Sequence, residues 1–326
     1  MKKILFSILT TVVMAACGGA QKNVAGTEGV AQQATPVGPD FQADSAFAFC
    51  QKQCDFGPRT MNSQAHELCG QWIAQKFQDY GMTITEQRAT LQGYDGTPLL
   101  ANNIIASYKP ESANRILICA HWDSRPWADN DPDEANHDKP VLAANDGASG
   151  VAVMLELARL ITDSDSLNIG VDFICFDAED WGSHSHSDSW ALGSNYWAKH
   201  PHKTGYKARF GILLDMVGGQ QARFYQESYS LYYAPQVVNM VWQAAAVAGY
   251  SSFFPMQEGG GVTDDHGPVN EYAKIPCIDI ISHYPDEESS FGPTWHTISD
   301  DMEHIDKNTL KAVGQTLVQV LWSINS

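Results

Sequence analysis

Basic residues are scarce in this chain: 20 Lys and Arg stand against 38 Asp and Glu in 326 residues, a net charge of -18. So acidic a surface repels phosphate backbones and argues against nucleic acid as a partner. Long apolar runs are scarce as well, and the one at the start is too short to span a bilayer. Internal repeats are missing, and the part that reads as folded, under about 300 residues, suits one α/β domain with a substantial core. Seven cysteines are present, but none has the spacing of a cysteine-based zinc site. Cys119, Cys175 and Cys277 sit inside apolar strand-like runs, where a free thiol behaves as a small hydrophobe. Cys50, Cys54 and Cys69 fall in helical patterns, and an exported protein has the option of oxidising a pair of them.

The first residues, MKKILFSILTTVVMAAC, combine two lysines, an apolar core and small residues ahead of Cys17, the pattern of a secretory signal. A cysteine directly after Met14-Ala15-Ala16 resembles a bacterial lipoprotein signal, in which Cys17 becomes the lipidated first residue. The plainer alternative is an ordinary signal peptide with an incidental cysteine. Residues 18–43 are rich in Gly, Ala, Gln, Thr and Pro without an apolar period, as in a flexible tether. The expected organisation is a signal peptide at 1–16, a lipidated tether at 17–43 and one catalytic domain at 44–326. Such a protein is exported, periplasmic and anchored to a bacterial membrane through Cys17.

Within the domain, strand-like and helix-like patterns alternate. Residues 83–92, 103–108, 116–120, 171–176, 210–214, 221–226 and 275–282 read as strands. A first helix starts near Asp44 and is stopped by Gly57 and Pro58. Ser63 caps an amphipathic helix ending at Gly81, and others cover 192–200, 234–248 and 310–324. After Asn145-Asp146-Gly147, the apolar stripe of Val151, Met154, Leu155, Ala158 and Ile161 marks another. The expected fold is α/β, a mostly parallel, mixed twisted sheet with helices on both faces.

The run at 171–182, VDFICFDAEDWG, ends a buried strand in three acids, Asp177, Glu179 and Asp180. Buried acids are costly unless something needs them, and ligands of open α/β sheets gather at the carboxyl ends of strands. His121, Asp123, Asp146, Asp215, Asp264 and His296 also sit at strand ends or adjoining loops. Singly, each reads as a cap, a surface acid or a satisfied histidine, and capping is the ordinary role of Asp146. Together they form the oxygen and nitrogen donor set that zinc accepts. Adjacent side chains at a strand end diverge, so of Glu179 and Asp180 one serves as ligand and the other faces substrate. Asp129, Asp131 and Asp133 alternate as in a calcium loop but lack its turn glycine and closing glutamate; the sequence gives these acids the reading of a solvated face.

The motifs HWDS at 121, ANDGASG at 144, FDAED at 176, LLDMVG at 213, DDHGP at 264 and WHT at 295 occur in that order. They resemble the zinc-dependent aminopeptidase and glutaminyl cyclase superfamily, and more closely the bacterial glutaminyl-peptide cyclotransferases. The resemblance implies cyclisation of N-terminal glutamine to pyroglutamate with release of ammonia, on peptides or exported proteins. It implies one zinc per chain, held by Asp146, Asp180 and His296. Glu179 is then the general base and acid, Asp215 and Asp264 share a proton, and Asp279 joins their network, where animal relatives carry histidine. Trp190, Phe291 and Trp295 line the substrate pocket. The alternative within the superfamily is an aminopeptidase holding two zincs through His121, Asp146, Asp180, Asp215 and His296. A binding lipoprotein on an enzyme fold is a third reading, and intact Glu179 with all three ligands speaks against it.

Overall fold

The computed structural model describes residues 35–287 and 289–325. The expected signal peptide, Cys17 and the tether up to residue 34 lie outside the described residues. Residues 35–42 pack onto the last helix: the Val37 and Phe41 amides donate to Gln319 and Gln315, and Phe41 is buried. Domain contacts thus begin ahead of Asp44, because Phe41 supplies an apolar anchor that the polar, Gly- and Pro-bearing composition around it hides.

Six strands form one sheet: β1 (Thr83–Gln92), β2 (Pro98–Tyr108), β3 (Arg115–His121), β4 (Gly170–Phe176), β5 (Gly211–Asp215) and β6 (Cys277–Ile281). Their order is β1-β2-β4-β3-β5-β6. β4, β3, β5 and β6 are parallel neighbours, and β2 pairs antiparallel with both β1 and β4. β1 is an edge strand, none of its residues buried, whereas β3 and β4 are buried throughout. A strand buried on both faces must be apolar on both, and RILICAH and GVDFICF largely are. Asp172 inside β4 is matched by Arg115 of β3, Ser107 and Tyr206.

The helices are α1 (Ala43–Cys54), α2 (Gln64–Asp79), α3 (Ala148–Ser164), α4 (Leu192–Lys199), α5 (Ser228–Tyr233), α6 (Pro235–Val247), α7 (His266–Glu271) and α8 (Lys307–Ser323). Strand alternation sends Ile116, Ile118 and Ala120 into the core with α1, α2, α3, α6 and α8, and Leu117 and Cys119 into a smaller core with α4 and α7. The sheet is therefore covered on both faces. Ser63 caps α2 by accepting from the His66 amide. All six cysteines among the described residues are free and buried, and Cys50 donates to the Ala144 carbonyl.

One expectation needs correction. Residues 221–226 form no regular strand; Phe224 and Gln226 make isolated bridges to Ser282 and Glu258, because Glu227 at once caps α5. Both α5 and α7 are short helices that carry too few residues to show a period in the sequence.

Candidate active site

The parallel strands deliver the site. β3 ends on His121 and β5 on Asp215, β4 feeds the turn holding Asp177 to Asp180, and the loop before α3 supplies Asp146. The β4 turn is held from several sides. Asp123 accepts the amides of Glu179 and Asp180, each at 3.1 Å. Asp177 accepts from the Asn102 and Ala178 amides and lies 2.9 Å from His66 Nε2, whose ring stacks on Trp122. Arg125 donates to the Asp180 and Gly182 carbonyls at 3.1 Å each. Ala178 and Met216, beside Glu179 and Asp215, adopt left-handed φ of +55° and +47°, and His296 is at +56°. Non-glycine residues in that region cluster where surrounding contacts over-determine the backbone.

Asp146, Asp180 and His296 bring one ligand atom each to within 4.8 Å of one another, all buried. His296 Nε2 lies 3.2 Å from Asp180 and 3.7 Å from Asp146. Asp180 Oδ2 is buried without a hydrogen-bond partner among the described residues, a costly state for a carboxylate oxygen unless it has a ligand to hold. Two carboxylates and an imidazole are a zinc donor set, so the trio fits the metal. Asp146 does not cap α3: Gly147, at φ +122°, is the N-cap residue and makes no side-chain cap. The Asn145 and Asp146 amides donate instead to Asp300.

A second trio, His121, Asp146 and Asp215, also converges within 4.8 Å. Here His121 Nε2 bonds directly to Asp146 at 2.9 Å and Asp215 at 3.2 Å. Burial opposes charge on His121, but Asp123, Asp146 and Asp215 outweigh it and hold the imidazole well above its usual pKa. Burial raises Asp215 to about 7, with Asp264 and Asp146 adding to the effect and His121 opposing it. Glu179 is pushed well up by burial and then by the Asp264 charge. Burial likewise raises Asp264. Asp279 is pushed up by burial and by Asp264 and Asp215.

Asp215, Glu179 and Asp264 face a cavity of about 250 Å³. Of the expected site residues, Asp146, Glu179, Asp180, Asp215, Asp264, Trp190, Phe291, Trp295 and His296 all line it. Trp295 stacks on His296 with ring centroids 3.8 Å apart, and Phe291 lies 4.5 Å from Trp295. Trp190 lies 15° from parallel to the His296 ring, and the Arg125 guanidinium and the His184 ring also lie against it. Gly182 leaves room for that indole: a Cβ there would fall 2.0 Å from Trp190. Asp279 is the exception among the expected residues. It is fully buried and does not line the cavity, grouping instead with Asp264 and His266, one polar atom of each lying within 4.8 Å of the others.

Sequence reasoning missed several partners. Asp129 is no solvated acid: it is paired with Arg125 and lies 3.5 Å from His296 Nδ1. Asp131 accepts from the Asp133 and Ile298 amides and so ties its loop to the His296 segment. Arg125 and Asp300 gave no motif signal, since each acts through backbone carbonyls or amides brought together by the fold. His184 lines the cavity from an exposed loop.

Residues 103–321 match peptidase family M28. Among solved structures, a glutaminyl cyclase of Bacteroides thetaiotaomicron bound to N-acetylhistamine is 52% identical, with a TM-score of 0.86 over 88% of this chain and 99% of that one. A Zn-dependent exopeptidase from Parabacteroides distasonis is 47% identical, with a TM-score of 0.86 and the same coverage. An aminopeptidase of Bacillus subtilis is 29% identical over 81% of this chain, which spans about half, 54%, of that curated relative. The zinc-fitting trio, the strand-end acids and the family match agree, and the chain belongs to peptidase family M28.

Proposed function

We propose that this chain converts the N-terminal glutamine of peptides and exported proteins to pyroglutamate, releasing ammonia, with one zinc per chain held by Asp146, Asp180 and His296. The carrying observation is that Asp215 and Asp264 line the same aromatic-walled cavity as Glu179 and the zinc-fitting trio. With a pKa of about 7, Asp215 retains its proton more readily than an ordinary carboxylate, and a protonated carboxyl is a poor metal ligand. Repulsion from the Asp264 charge adds to that rise, and a proton kept on Asp215 favours a single metal position.

When bound, zinc supplies Lewis acidity to a substrate carbonyl. Glu179 takes a proton from the α-amine, whose reference pKa is about 7.7 to 8.0. The amine nitrogen bonds to the side-chain amide carbon, the bond from that carbon to its nitrogen breaks, and Glu179 returns the proton to the departing ammonia. Its elevated pKa, set by burial and Asp264, suits a group that must hold a proton between the two transfers. Ring closure within one residue avoids the entropic cost of joining two molecules. Asp215 and Asp264 orient the amine, with Asp279 supporting Asp264. Trp190, Phe291 and Trp295 enclose the short side chain and exclude water.

A second reading rests on the His121, Asp146 and Asp215 trio, which shares Asp146 with the first. A dizinc aminopeptidase would use both, with Glu179 as base toward a water. The deciding experiment incubates the protein, with and without chelator, with a peptide beginning in glutamine, and pairs the product mass with metal analysis. One zinc and loss of ammonia alone are expected; two zincs and a shortened peptide would establish the aminopeptidase. The exported, membrane-tethered placement is part of the same proposal and is supported by the leader and Cys17. Fatty-acid labelling that survives Cys17→Ser would refute the tether.

A further inference from the structure

A second cavity, of about 290 Å³, adjoins the first. Trp190, Val262, Thr263 and Asp264 line both and form a common wall. Of the other neighbouring cavities, one of about 60 Å³ beside Phe291 is too small for a long side chain. Another, at Arg125 and Trp127, shares just His184 with the first. A substrate amine placed between Glu179 and Asp264 hangs from the α-carbon that also carries the chain onward. An amine held there keeps the following residue close to Asp264, which the second cavity shares with the first.

The far side of that cavity has a definite chemistry. Tyr229, Tyr233 and Tyr272 give it aromatic side chains, Asp188 and Glu271 give it carboxylates, and no lysine or arginine among the described residues lines it. Tyr233 donates its hydroxyl to Glu271 at 3.1 Å, which fixes that carboxylate in the wall. Lys199 already sets its ammonium 4.3 Å over the Tyr272 ring, the arrangement a substrate cation would repeat on Tyr229 or Tyr233. Ring faces and carboxylates both attract cations, and the acidity of the whole chain adds to the field.

We propose that this second cavity is a subsite for the residue after the N-terminal glutamine, and that it selects lysine or arginine there. The inference rests on the cyclase reading for its substrate. The test compares Gln-Arg-Ala with Gln-Glu-Ala. Expected is a kcat/KM at least roughly fivefold higher for the arginine peptide, narrowing with added salt as an ionic preference must. Glu271→Gln and Tyr233→Ala should each move the ratio toward one. A ratio near one in the unaltered protein, or one unmoved by either variant, would overturn the subsite. Calorimetric binding of both peptides to zinc-loaded protein carrying Glu179→Gln scores the subsite apart from turnover. Tighter binding of the arginine peptide to this variant, with no cyclisation of either peptide by the unaltered protein, would reject the activity and keep the subsite; equal or undetectable binding of both rejects the subsite itself.

Discussion

Asp129 stands 3.5 Å from Nδ1 of His296, on the side of the imidazole opposite the nitrogen that faces Asp180. Arg125 and His296 hold its carboxyl well below the usual range although partial burial opposes ionisation. A carboxylate behind a metal-binding histidine fixes ring orientation and strengthens the ligand, and its loss typically costs about 10- to 100-fold in metal affinity. Asp129→Asn should therefore weaken zinc binding by that factor in competition with a chromogenic chelator, with the far-ultraviolet circular dichroism unchanged. Unaltered affinity would show that the pair does not serve the metal.

The same residue marks the limit of what the sequence discloses. His121, Asp146, Asp180, Asp215 and His296 were legible because each closes a buried strand or stands in a short motif with local sequence context. Asp129 sits in a long acidic loop, and nothing local distinguishes it from Asp133, which merely caps a short turn. Its role arises from a contact across more than 160 positions of chain, between a loop after β3 and one before α8. Arg125 is hidden for the same reason: besides Asp129, it bonds the Asp180 carboxylate and the Asp180 and Gly182 carbonyls, partners that the fold rather than the local sequence brings to it. The sheet was readable because β3, β4 and β5 are short and apolar and end in, or run directly into, polar residues. The 221–226 segment misled because alternation over so few residues does not require a ladder partner.

Glu179 separates chemistry from metal binding. Its amide is held by Asp123 and its side chain lines the cavity beside Asp264, so Glu179→Gln keeps the shape and removes the proton acceptor. General acid and base groups contribute about 10²- to 10⁴-fold. Cyclisation of a glutaminyl peptide should fall by that range while bound zinc stays at the unaltered level. Retention of more than about a tenth of the rate would mean that another group moves the proton.

The buried acids give the metal-free protein a defined pH response. Asp215 and Asp300 rise from an ordinary 3.8 to about 7, in both cases through burial first, with added repulsion from Asp264 and Asp146 at Asp215 and from Asp146 at Asp300. An acid protonated more readily in the folded state stabilises it fully below the unfolded pKa, and that contribution is lost as pH climbs through the folded value. His121 and His296, both raised despite burial, act in the same direction. Glu227 acts oppositely: despite burial, His266 and the α5 amides hold it at about 2, so its contribution is present above about pH 4.5 and fades as pH falls toward 2. The chelated protein should melt highest near about pH 5 and lower by roughly 3 °C or more at about pH 8, a change of order 1 kcal/mol for a chain this size. Zinc should raise the melting temperature more at the higher pH, where its ligands are free of protons. A melting temperature that climbs steadily from pH 5 to 8 without metal would contradict the raised acids.

Two glycines near the β4 turn should fail in different ways when given a methyl group. At Gly193, in the first turn of α4, a Cβ would lie 2.0 Å from the Asp177 carbonyl oxygen and 2.6 Å from the Asn103 amide oxygen. Backbone at the end of a buried strand has little room to yield, and overpacking of this kind costs about 1–3 kcal/mol or more. Gly193→Ala should lower the melting temperature by roughly 4–10 °C. At Gly182 the obstacle is the Trp190 ring, 2.0 Å from the new methyl, a side chain that is only partly buried and can swing away. Gly182→Ala should cost less stability but displace one wall of the cavity, raising KM for a glutaminyl peptide more than it lowers kcat. Thermal melts and steady-state kinetics on the two variants separate the effects, and a larger melting loss at Gly182 than at Gly193 would show that Trp190 is locked in place rather than free to give way.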